Sequence, residues 1–80
     1  MTAVQVLYFA SLRQAAGVDA EAVQTQSGDL AGLYGELKQR HGFAWETAHL
    51  RVAMDGAFAR WEDPVAEGAQ VAFIPPVSGG

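Results

Sequence analysis

The apolar residues of this chain fall in short bursts with two different periods. Residues 3–9, AVQVLYF, are rich in β-branched and aromatic side chains and predict a strand. Polar Gln5 marks the outward face, so Val4, Val6 and Tyr8 point inward and Gln5, Leu7 and Phe9 lie opposite. Leu7 and Phe9 are then apolar residues on the less buried side, open unless a loop or helix covers them. Residues 10–19, ASLRQAAGVD, read as a connection ending near Gly17. Residues 20–26, AEAVQTQ, alternate weakly and predict a second strand at a sheet edge.

The period then changes. Leu30, Leu33, Tyr34 and Leu37 follow the i, i+3, i+4, i+7 spacing of one helical face, predicting a helix over about 30–41. Asp29 suits its N-cap, Arg40 and His41 its last turn, and Gly42 its left-handed C-terminal position. Gly32 and Gly35 weaken this helix by about 1 kcal/mol each relative to alanine, which points to packing, with close backbone approach to a sheet as the expected reason. Residues 43–49 form an irregular link. Asp55-Gly56 between 50–54, LRVAM, and 57–60, AFAR, is a hairpin signal. Turns are expected over 61–69. A last strand follows at 70–74, QVAFI, with Val71 and Phe73 on one face and Ala72 and Ile74 on the other.

Strand, strand, helix, strand, short strand, strand is the β-grasp order. One main helix on one face of a mixed five-stranded sheet would bury every apolar stripe, an α+β architecture. The 80 residues make one domain, expected as a body over 1–74 with a tail over 75–80.

Composition narrows the chemistry. The net charge is −4 and the five cationic residues (Lys38, Arg13, Arg40, Arg51, Arg60) are scattered, so no basic stripe serves nucleic acid. No cysteine is present, which excludes a disulfide scaffold, a cysteine-ligated metal and a persulfide on this chain. His41 and His49 lack ligand spacing, so no metal is expected. No stretch has the length of a membrane span and no secretory leader opens the chain, so the cytoplasm is the expected compartment. Glu62-Asp63 reads as surface charge. Trp45 and Trp61 are expected to pack on the sheet edge or a partner. Ser78 has no base to activate it as a nucleophile.

The tail, Pro75-Pro76-Val77-Ser78-Gly79-Gly80, carries a different signal. Proline cannot continue a β-ladder, so the strand stops near Ile74 and an extended spacer of roughly 20 Å begins. Two glycines without side chains can thread a narrow channel. The reactive group at their end is the α-carboxylate of Gly80, ionised at neutral pH and unreactive as an electrophile until joined to a good leaving group. An acyl-adenylate supplies one, and can accept sulfur to become a thiocarboxylate without any cysteine here.

Two stretches resemble a known family. Val6-Leu7-Tyr8-Phe9-Ala10-Ser11-Leu12-Arg13 with Gly17, and Val71-Ala72-Phe73-Ile74 leading into the tail, resemble the start and end of molybdopterin synthase small subunits, ubiquitin-like sulfur carriers. Many members have Glu where this chain has Gln14, so an ion pair from that position is not expected. The resemblance implies that an ATP-dependent activating enzyme adenylates Gly80 and sulfur is installed as a thiocarboxylate, with no cofactor bound by the chain itself. It also implies docking on the large synthase subunit and sulfur transfer to cyclic pyranopterin monophosphate for molybdenum cofactor. This chain would be the non-catalytic sulfur donor, with Gly79 and Gly80 as the site and Pro75, Pro76, Val77 and Ser78 guiding entry. Family members dock through an apolar face, here expected at Phe9, Phe58 and Ile74. Arg13 would be solvated, cap a loop or pair with a partner carboxylate. Alternatives are a carrier for thiamine or tRNA thiolation, a protein-conjugating modifier, and a β-grasp interaction module with an inert tail.

Overall fold

The computed structural model describes residues 1–76. Five strands, β1 (Thr2–Tyr8), β2 (Ala20–Thr25), β3 (Arg51–Met54), β4 (Ala57–Ala59) and β5 (Gln70–Ile74), form one mixed sheet in the order β2-β1-β5-β3-β4. The central β1 and β5 run parallel, with Tyr8 opposite Phe73, and the other pairings are antiparallel. Weakly alternating β2 is at an edge, as its low apolarity predicts.

Every second residue of the central strands enters the core. Val4, Val6, Tyr8, Val52, Val71 and Phe73 are buried in one cluster with Leu30, Leu33, Tyr34 and Leu37 of the long helix α2 (Leu30–His41). Full burial of such side chains stabilises the fold by about 1.5–3 kcal/mol each. Asp29 caps α2 by accepting from Gly32 N at 2.8 Å, and the backbone of Asp63 and Trp61 accepts from Leu30 and Ala31 N–H. These partners satisfy helix donors that have no intrahelical acceptor. Gly42 ends the helix at φ 73°. Asp55 and Gly56, at φ 53° and 85°, form the expected tight turn between β3 and β4.

Two expectations need correction. Residues Ala10–Ala16, read above as a connection, form a helix that closes on Gly17 at φ 80°. It buries one fully apolar residue, Leu12, so its seven residues carry too little periodicity to announce it. The close approach at Gly32 is to a loop and not to the sheet: a Cβ there would stand 2.5 Å from Ser27 Oγ. At Gly35 a Cβ would meet nothing.

Candidate functional site

The outer face of the sheet carries the alternate residues of the same strands. Leu7, Ala72 and Ala53 form a half-buried apolar row that ends on Phe58, which is 70% exposed. One row further along, Ile74 of β5 faces Arg51 of β3. Phe9, 46% exposed, follows β1 at the same end of the sheet as Ile74.

Here the short helix Ala10–Ala16, α1, has its role. Between extended Phe9 and the helix the chain turns sharply, and Ala10 takes φ 52°, a left-handed conformation that costs an alanine on the order of 1 kcal/mol. The turn builds one wall of a groove of about 560 Å³ lined by Phe9, Ala10, Ser11, Trp45, Ile74, Pro75 and Pro76. Trp45 forms another wall and is fixed at two points. Its indole Nε1 donates to Ser11 Oγ at 2.9 Å, and its carbonyl accepts from the Tyr34 hydroxyl at 2.7 Å. Burial, and then the charge of Glu46, push the Tyr34 phenol up to about 12, so it stays a donor. Pro75 is buried and Pro76 exposed, so the first proline belongs to the body.

The expected site residues are thus partly brought together. Phe9, Ile74, Pro75 and Pro76 line one groove at the end of the last strand. Phe58 shares the outer face but lies beyond Arg51, outside the groove, with the Arg51 guanidinium 5.7 Å over its ring. Val77, Ser78, Gly79 and Gly80 lie outside the described residues. Arg13 meets Asp19 at 3.7 Å on the exposed side of α1. Trp45 is expected at the sheet edge or a partner, but its pairing with Ser11 is not legible in the sequence, because nothing there brings together residues so far apart. Trp61 stacks on Phe73 at the edge of the core, as expected for packing. His41 bonds Glu21 at 3.1 Å, and Glu62 pairs with Arg60. Among the described residues no cluster of three metal-ligating side chains forms. No helix among them is long and apolar enough to cross a membrane.

Comparison with known proteins agrees with this geometry. The model of the ThiS family matches residues 6–80. The molybdopterin synthase sulfur carrier subunit of Escherichia coli is 31% identical over 96% of this chain and 99% of its own length. A putative molybdopterin converting factor subunit 1 from Pyrococcus furiosus superposes with a TM-score of 0.80 at 32% identity, covering 96% of this chain and all of that one. A complex of subunits 1 and 2 of the Helicobacter pylori molybdopterin-converting factor contains the same fold at TM-score 0.67 and 20% identity, covering 99% of this chain and 100% of that one.

Proposed function

This chain belongs to the ThiS family, and on that footing we propose that it is a sulfur-carrier subunit of molybdopterin synthase with its reactive group at Gly80. One observation carries the reading most directly: the last strand ends at Ile74 beside an exposed apolar groove, and Gly79 and Gly80 follow five and six residues later in the sequence. A docking surface and a reactive terminus so close together suit a protein that presents its own end to other enzymes.

The chemistry follows from the carboxylate. Its oxygen attacks the α-phosphorus of ATP on an activating enzyme, releasing pyrophosphate and leaving an acyl-adenylate. Sulfur from a donor attacks the acyl carbon and displaces AMP, giving the thiocarboxylate. The large synthase subunit then receives the tail, and the sulfur adds to cyclic pyranopterin monophosphate. Water finally releases Gly80 as a carboxylate. Gly79 and Gly80 pass a narrow channel because they lack side chains. Ser78, Val77, Pro76 and Pro75 guide entry, while Phe9, Ile74 and Phe58 supply apolar contact. The chain itself needs no bound cofactor, and the large subunit supplies the catalytic pocket. The cytoplasm, where ATP and reduced sulfur donors are available, suits this cycle.

Intact-protein mass spectrometry tests this after incubation with the activating enzyme, ATP and a sulfur donor. The expected gain is one terminal oxygen replaced by sulfur, absent when Gly80 is deleted. An unchanged mass beside active partners would leave an interaction module with an inert tail. A mass gain without transfer to the pterin on the large subunit would assign the carrier to another thiolation pathway.

A further inference from the structure

Arg51 differs from every other lysine and arginine of the described residues. Arg13 has Asp19 at 3.7 Å, Lys38 has Glu46 at 3.1 Å, Arg40 has Glu21 at 3.8 Å and Arg60 has Glu62 at 2.9 Å. Arg51 has no carboxylate within ion-pair distance among the described residues, in a chain with nine acidic residues and a net charge of −4. It is exposed on the outer sheet face, opposite Ile74 on β5 and one diagonal step from Phe58 on β4. Its guanidinium rests over the Phe58 ring, and with His49 and Pro76 it borders a small hollow at the base of the tail.

This position has a consequence if the apolar face docks, as the functional reading above supposes. A protein that covers both Ile74 and Phe58 also covers Arg51, which lies between them. A guanidinium removed from water without an anionic partner is strongly unfavourable, and guanidinium cannot neutralise itself by losing a proton. The Phe58 ring holds the planar group in place, which favours two parallel bonds to one carboxylate. The net negative charge of the chain disfavours phosphate-rich occupants, and Arg51 stands out locally as a guanidinium with no carboxylate partner among the described residues.

We propose that Arg51 is a specificity-determining residue of the docking face, and that the protein seated there places an Asp or Glu side chain, ringed by apolar residues, against it. On the functional reading this protein is the large synthase subunit. Partners with an apolar patch but no carboxylate at that point are rejected, because they would enclose an unpaired charge.

Calorimetric titration of the full chain with the purified large subunit tests this. Arg51→Gln should weaken binding about 30-fold and Arg51→Glu about 100-fold or more, with Arg51→Lys between Arg51→Gln and the unmodified chain. Arg40→Glu makes the same charge change on α2, whose apolar face covers the opposite side of the sheet, and should weaken binding less than about threefold. Changing one large-subunit carboxylate to arginine should restore binding to Arg51→Glu alone. Thermal melts confirm that each variant is folded, and Arg51→Gln keeps the test open should Arg51→Glu unfold. Near-normal affinity of Arg51→Glu, equal losses for Arg40→Glu, or no restoring charge reversal would each overturn the inference while leaving the carrier reading intact. No binding by the unmodified chain would overturn both.

Discussion

The two faces of the central strands are built from alternate residues of the same segments, yet they are completed in different ways. On the inner face Val6, Tyr8, Val71 and Phe73 meet Leu33, Tyr34 and Leu37 of α2, and the chain buries this surface unaided. On the outer face Leu7, Ala72 and Ile74 are only half-buried, Phe58 is 70% exposed, and the exposed Phe9 stands at their end. The inner face therefore holds the stability of the domain. The outer face holds apolar area that the monomer leaves in contact with water, at the end of the sheet where the tail begins. Period-two alternation separates the tasks, since a change on one face need not disturb the other.

The sharpest break in this contrast is a substitution on the inner face. Phe73→Ala removes a fully buried ring that Tyr34 and Trp61 both touch, and should lower unfolding free energy by about 3–5 kcal/mol in urea melts. Its outer-face counterpart, Phe9→Asp, should leave the melting temperature nearly unchanged and weaken large-subunit binding about 30-fold in a titration. A large stability loss at Phe9, or unchanged affinity, would erase the distinction between the faces.

Two buried tyrosines refine the comparison. Tyr34 donates to the Trp45 carbonyl and so ties the core to a groove wall, whereas the Tyr8 hydroxyl has the Glu21 carboxylate nearby but makes no hydrogen bond of good geometry among the described residues. Tyr34→Phe should lose about 1 kcal/mol at neutral pH, and Tyr8→Phe distinctly less. Burial first, and then the charge of Glu21, raise the Tyr8 phenol above its ordinary range; burial and Glu46 raise Tyr34 to about 12. Folding thus favours the neutral phenols. Their contribution is complete below the unfolded value of about 10 and is lost as pH climbs toward the folded values. Urea midpoints should fall between about pH 10 and 12, less steeply in Tyr8→Phe.

The smallest expected effects distinguish two glycines on α2. Gly35→Ala enters open space and should stabilise by about 0.5–1 kcal/mol. Gly32→Ala should destabilise despite better helix propensity, because its Cβ would crowd Ser27 and the Asp29 cap. Equal gains at both positions in thermal melts would show that Ser27 moves aside easily.

The sequence by itself determined the order of the five strands and the long helix, the inward sets on β1 and β5, the α2 stripe with its Asp29 cap, and the Asp-Gly turn. Each is a local rule of spacing or backbone conformation that neighbouring residues satisfy among themselves. The Pro-Pro and Gly-Gly ending was equally legible, because it depends on covalent chemistry and not on packing. What only the tertiary structure decided is the groove. Helix α1 was invisible because one buried leucine sets no period, and Trp45 meets Ser11 across a distance in sequence that no motif spans. That Arg51 meets no carboxylate among the described residues is of the same kind. Whether a charge is paired depends on where the carboxylates come to rest, and for the side chains of the body that is settled when the sheet orders its strands and not before.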